Sequence, residues 1–218
     1  MKHPRICGVI TRVDPESIAL TAPQVDLFEL RIDLVGADWT SVARSLTLPW
    51  IACNRRAEEG GRWPGSEAGR VEELKRALAL GASIVDLELA MPDLDRAVAM
   101  VKEKAQCLIS HHDLSGTPSM PHLREIVGRQ LSYGADICKL VTTAHVFEDN
   151  LSLLELFNQF PGARLVAFAM GVPGIISRIL CPMLGGEFAY AALAPGQESA
   201  EGQLTVAELV RLYGAITR

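Results

Sequence analysis

"SEAGRVEELKRALALGASIVDLEL", residues 66–89, carries two periodicities in succession. In its first part Val71, Leu74 and Leu78 recur three and four residues apart, the spacing of one apolar helix face. Ser66 stands where an N-cap belongs and Gly81 where a helix ends. The second part, "SIVDLEL", is a short run rich in Ile, Val and Leu, without the clean alternation of a strand that faces water on one side. It reads as a strand buried on both faces.

The same two textures extend in both directions. Strand-like runs occur at "ICGVI" (6–10), "VDLFELRI" (25–32), "PWIAC" (49–53), "CLIS" (107–110), "ICKLV" (137–141), "LVAFAM" (165–170) and "FAYAAL" (188–193), which makes eight with residues 83–89. Helix-like stretches lie between them: "MPDLDRAVAMVKEKA", "SMPHLREIVGRQLSYG", "FEDNLSLLELFNQF" and "LTVAELVRLYGAIT". Eight rounds of strand and helix predict an α/β fold, a (β/α)8 barrel in a single domain over residues 1–218. The length of 218 residues, with 49% hydrophobic and 22% charged, suffices for one full core.

Net charge is −5 and no basic stripe is present, which argues against nucleic acid as a partner. No apolar run reaches the about 18 residues of a membrane span. "MKHPRICGVI" runs into a strand without a signal-peptide pattern, so a cytoplasmic protein is expected. The five cysteines are odd in number and lack a CxxC spacing, as buried free thiols would be.

A barrel keeps its chemistry at the C-terminal ends of the strands and in the loops after them. Strand two ends "FELRID", where Glu29, Arg31 and Asp33 share one face if the chain stays extended. These charges either pair internally or bind a hydroxylated ligand. Strand three ends "CNRRAEEGG" and offers Arg55, which by itself reads as a surface charge. A glycine-rich loop over 56–67 follows. Strand four gives Asp86 and Glu88. Strand five ends "LISHHDLSGTP"; adjacent His111 and His112 face opposite ways, so one at most enters a site, and the pair suits a metal poorly. Strand six carries Lys139 inside "GADICKLVTTA". Strand seven leads into "AMGVPGIISR", with Met170 and Arg178, and "LAPGQ" after strand eight brings Gln197.

Lys139 could snorkel out or pair with an acid. In company with His112, Glu88 and the arginines it reads as an amine whose pKa is depressed by burial and by neighbouring cations, as imine formation with a ketone requires. His112 would be the base, Glu88 would hold its tautomer, and arginines would grip a carboxylate bidentately.

Taken together, "FELRID", "NRRAEEGG", "VDLELA", "ISHHDLSGTP", "ADICKLVTTA", "AMGVPGIISR" and "APGQ" resemble, in order and over nearly the whole chain, the type I 3-dehydroquinate dehydratases of the shikimate pathway. The resemblance implies dehydration of 3-dehydroquinate to 3-dehydroshikimate through an imine on Lys139. In it His112 is the general acid/base, Glu88 the carboxylate orienting it, Glu29 and Arg31 hydroxyl-binding residues, and Arg55 a substrate contact. Met170 becomes an apolar pocket liner, and Arg178 and Gln197 hold the carboxylate end. No metal, nucleotide or other cofactor is implied, and a homodimer is. Two departures stand out: Leu193 replaces the polar residue usual before "APGQ", and the loop leading to Gln197 is short. A small Schiff-base aldolase, a metal-dependent sugar isomerase using Glu29, Glu88 and His112, and a barrel that binds without turnover are the rival readings.

Overall fold

The computed structural model describes residues 4–216, so the ends of the expected domain, 1–3 and 217–218, lie outside it. Eight strands are present: β1 Ile6–Ile10, β2 Leu27–Arg31, β3 Trp50–Cys53, β4 Ile84–Glu88, β5 Gln106–His112, β6 Ile137–Thr143, β7 Leu165–Met170 and β8 Ala189–Ala192. All pairings are parallel and run in the order β7-β6-β5-β4-β3-β2-β1-β8. The sheet is a nearly closed (β/α)8 barrel of the TIM type. Between β7 and β8 no ladder forms; the Glu187 N–H donates to the Leu165 carbonyl at 2.9 Å just before β8 starts.

The expected strands are all found, within a residue or two. The helices are α1 Pro15–Thr21, α2 Ile32–Val35, α3 Trp39–Ser45, α4 Glu67–Ala79, α5 Leu94–Lys102, α6 Met120–Ser132, α7 Asp149–Gln159, α8 Ile175–Leu180 and α9 Val206–Ile216. Ser66 caps α4 by accepting the Gly69 N–H at 3.2 Å, and Gly81 turns the chain at φ +91°. One expectation fails at the end of β2. "FELRID" is not extended throughout: the strand stops at Arg31, and Asp33 lies in the helical turn α2.

The core has two layers, sorted by strand alternation. Outward-facing Phe28, Leu30, Val85, Leu87, Ile109 and Leu140 pack under the helices. Inward-facing Leu27, Ile51, Ile84, Leu108, Ile137 and Val166 fill the lower barrel. Two residues further along β2, β4, β5 and β6 the inward positions turn polar, whereas β3 and β7 place Cys53 and Phe168 there. Glu29, Asp86, Ser110 and Lys139 sit above Leu27, Ile84, Leu108 and Ile137, so the upper half of the barrel is a charged cavity on an apolar plug.

Candidate active site

The cavity is lined by Glu29, Arg31, Cys53, Arg55, Glu59, His112, Lys139, Phe168, Met170, Arg178, Tyr190, Ser199 and Gln203, among others. Of the residues expected from sequence, Glu29, Arg31, Arg55, His112, Lys139, Met170 and Arg178 are therefore brought together. Glu88 and Gln197 are not, and Glu59, Ser199 and Gln203 come in their stead.

Lys139 is 4% exposed. Its Nζ donates to Glu29 Oε1 and Asp86 Oδ2, each at 3.1 Å. Burial pushes the amine pKa down, but Glu29 and Asp86 outweigh burial, and the net shift is upward. This corrects the expectation of a depressed pKa. The anions on β2 and β4 count for more than Arg55, and the resting side chain is an ammonium. Glu29, Cys53 and Asp86 bring ligand atoms within 4.8 Å of one another, a set able to hold a cation; the ammonium of Lys139 bridges its two carboxylates.

His112 ends β5 facing the cavity, and His111 faces away, as alternation requires. The His112 Nδ1 lies 2.8 Å from Glu59 Oε2, which also accepts the His112 backbone N–H at 3.1 Å. The carboxylate beside the histidine is thus Glu59 and not Glu88. Burial, then the cations of Arg55 and Lys139, hold the imidazole well below its ordinary pKa, so it is neutral. Burial also raises the Glu59 carboxyl to about 7, with Arg55 opposing and Glu88 and Asp86 adding to the rise. Glu59 is placed by the loop after β3. Residues Ala57–Glu59 form a single 3-10 turn closed by Gly60 at φ +81°. A Cβ on Gly61 would overlap the Arg55 carbonyl, so the loop packs back on its own start only with glycine there.

Glu88 is fully buried one layer behind. Its Oε2 accepts from Arg70 Nη1 at 2.7 Å, and its Oε1 lies 3.1 Å from both Arg55 Nη1 and the Arg56 N–H. Arg70, also fully buried, forks onto Glu67 on the surface side at 2.9 and 2.7 Å. Arg55 donates to Asp86 at 2.5 Å and to Ser110 at 2.6 Å. A buried charge network therefore runs from α4 through Glu88 to the cavity wall, and every member has an opposite charge beside it. Arg31 is held by both oxygens of Asp33, at 2.9 and 2.7 Å.

Arg178 differs. It is 4% exposed, and it has no carboxylate partner among the described residues. Nη2 donates to the Glu201 carbonyl at 3.2 Å, while Nε is buried with no partner. Burial pulls its pKa down to about 10. A buried, unpaired guanidinium is costly unless an anion arrives to pair with it.

The loop after β8 crosses this end of the barrel. The Gly171 N–H donates to the Glu201 carbonyl at 3.2 Å, which ties the loop to the β7 side. Gln203 and Ser199 then line the cavity, with Gln203 Oε1 accepting the Ser199 N–H at 2.7 Å. Gln197 is buried on the side away from the cavity, where its amide donates to Asp14, the N-cap of α1, at 2.7 Å and to Ser17 on its first turn at 3.2 Å. The sequence holds "GQ" twice, at 196–197 and 202–203, and the second reaches the cavity. Both departures noted above were counted from the first of these. Leu193 is a core residue packed toward Gly8, and the polar residue at the cavity is Ser199, four before Gln203 as Leu193 is four before Gln197. The signal for Glu59 was likewise present, an acid directly before the paired glycines of "AEEGG".

A parallel barrel whose C-terminal end gathers a lysine, a neutral histidine and an arginine without a carboxylate partner among the described residues defines a TIM-barrel enzyme that acts on a small molecule. The chain belongs to the type I 3-dehydroquinase family, whose profile it matches over residues 7–218, and it is a hydro-lyase. It is 41% identical to a 3-dehydroquinate dehydratase of Dehalococcoides mccartyi over 216 residues, covering 99% of this chain and 97% of the relative. Identity to the Syntrophobacter fumaroxidans enzyme of the same name is 35% over 227 residues, covering 97% and 96%. The crystal structure of 3-dehydroquinate dehydratase from Geobacillus kaustophilus superposes with a TM-score of 0.87 at 26% identity, covering 100% of this chain and 93% of that one. No helix among the described residues is long and apolar enough to cross a membrane.

Proposed function

We propose that the protein dehydrates 3-dehydroquinate to 3-dehydroshikimate through an imine on Lys139. The observation that carries the reading is the placement of one buried amine beside one neutral histidine whose Nδ1 is anchored. With Nδ1–H donating to the Glu59 carboxylate, the opposite ring nitrogen keeps its lone pair and can take a proton.

Lys139 must first lose a proton, and His112 is the neutral base in the cavity. The free amine attacks the substrate ketone, and the carbinolamine takes that proton back from His112 as its hydroxyl leaves as water, which gives a protonated imine and a neutral histidine. His112 takes a proton from the adjacent carbon, leaving an enamine. The enamine electrons then expel the hydroxyl, which leaves as water with the proton from His112. A second water hydrolyses the imine and restores Lys139, so the net change is loss of one water. Arg178 pairs with the substrate carboxylate, with Gln203 and Ser199 closing over it. Glu29, Arg31 and Arg55 contact the ring hydroxyls, and Met170 covers its apolar face.

The reading treats residues 1–218 as one catalytic domain, supported by the family match over 7–218. Incubation with 3-dehydroquinate and borohydride, followed by peptide mass spectrometry, tests it. The expected result is a reduced adduct on Lys139 and, without borohydride, the absorbance of a conjugated enone. A folded protein that forms no adduct on Lys139 overturns the proposal, and one that binds substrate without the absorbance rise is a binder only.

A further inference from the structure

The gap in the hydrogen-bonded barrel between β7 and β8 is filled on its inner side by aromatic rings. Tyr190 meets Phe188 edge to face, with centroids 5.2 Å apart at 89°, and meets Phe168 at 6.0 Å and 60°. These are the arrangements that ring quadrupoles favour. Two cations of the cavity rest on the cluster. Lys139 Nζ lies 4.2 Å from the centroid of Tyr190, and Arg178 Cζ lies 4.5 Å from that of Phe168. Both are well inside the about 6 Å over which a ring face attracts a cation.

The ring and the carboxylates do different work at Lys139. An ammonium has three hydrogens and donates to Glu29 and Asp86 together. A protonated imine has one, so at most one of those hydrogen bonds survives once the carbon–nitrogen double bond forms. A ring face needs no hydrogen and attracts the charge in either state. The Tyr190 hydroxyl is buried without a hydrogen-bond partner, so the face of the ring is the part in use; nothing in the structure explains why tyrosine stands there and not phenylalanine.

We propose that Tyr190 is a catalytic residue of the imine chemistry, its ring face stabilising the cationic nitrogen of Lys139 when hydrogen bonds to Glu29 and Asp86 are given up. This rests on the imine reading above. It is tested in the full chain by placing phenylalanine and its 4-fluoro, 3,5-difluoro and 3,4,5-trifluoro derivatives at position 190. Fluorine empties the ring face of negative potential while nearly preserving its shape. Each variant is mixed with 3-dehydroquinate and quenched with borohydride, and the Lys139 adduct is quantified by mass spectrometry alongside kcat/KM. The expected result is a stepwise fall of both with each fluorine, totalling about 2- to 30-fold. A merely structural ring would give a flat series. A flat series with the adduct present in the unmodified protein overturns the role of Tyr190. Absence of the adduct in the unmodified protein overturns the imine reading instead. Tyr190→Met, folded by circular dichroism, is the second check: undiminished adduct formation there also overturns the proposal.

Discussion

His112 Nδ1 and Glu59 Oε2 are 2.8 Å apart, and the same oxygen receives the His112 backbone N–H at 3.1 Å. One carboxylate thereby fixes the ring and the strand end that carries it. The pair also sets the pH response. Below about 7 Glu59 is protonated and donates to Nδ1, which puts the ring proton on the opposite nitrogen and leaves no base facing the cavity. Above that value the carboxylate accepts from Nδ1–H and the base is free. The imidazole itself stays neutral throughout, since its pKa is held low. The kcat profile should therefore rise through a single ionisation near pH 7, and Glu59→Gln should remove that limb. Glutamine still accepts from Nδ1–H, so kcat should fall roughly 10- to 100-fold, at or below the low end of what general acid–base catalysis contributes. A wild-type limb retained in Glu59→Gln would assign the ionisation elsewhere.

Glu88 should behave in the opposite way. It touches Arg70 and Arg55 and not the histidine, so its loss acts mainly on the fold. Arg70→Met leaves a buried carboxylate short of a cation and should cost about 3 kcal/mol or more in urea unfolding. Glu88→Gln should likewise lower stability more than it lowers kcat. A large kcat loss at unchanged stability would restore Glu88 to the place the sequence suggested.

The two glutamines of the loop after β8 separate cleanly. Gln203→Ala should raise KM about tenfold or more, the order expected for losing a hydrogen bond to a charged ligand. Gln197→Ala should leave KM alone and cost about 1 kcal/mol of stability by freeing Asp14 and Ser17 on α1. Equal effects on KM would mean that the loop rearranges when substrate binds.

Lys139→Met keeps the length of the side chain and removes the charge. No borohydride adduct should form with 3-dehydroquinate. Glu29 then loses its ammonium, so the free energy of unfolding should also fall, by the amount typical of breaking a buried pair, about 3–5 kcal/mol. An adduct that persists would place the imine on another lysine.

The sequence by itself determined the barrel, because periodicity is local. Runs such as "SIVDLEL" and the helix before it need no knowledge of their neighbours to be read. Alternation also put Glu29 and Arg31 on one face and His111 and His112 on opposite faces, since a strand has only two, but it did not say which face was the inner one. Which side chains then meet was decided by tertiary structure. Glu88 and Glu59 both belong to the upper end of the barrel, but only the turn closed by Gly60 and Gly61 swings Glu59 onto His112, while Arg70 on α4 draws Glu88 back. Gln197 and Gln203 have the same local sequence, "GQ"; the bond from Gly171 to Glu201 decides which faces the cavity. The charge state of Lys139 went the same way. Burial is legible from the apolar residues around it, whereas the net upward shift is a sum over Glu29, Asp86 and Arg55 on three other strands or the loops after them. Coulomb energy depends on distances through space, and those exist only once the barrel has closed.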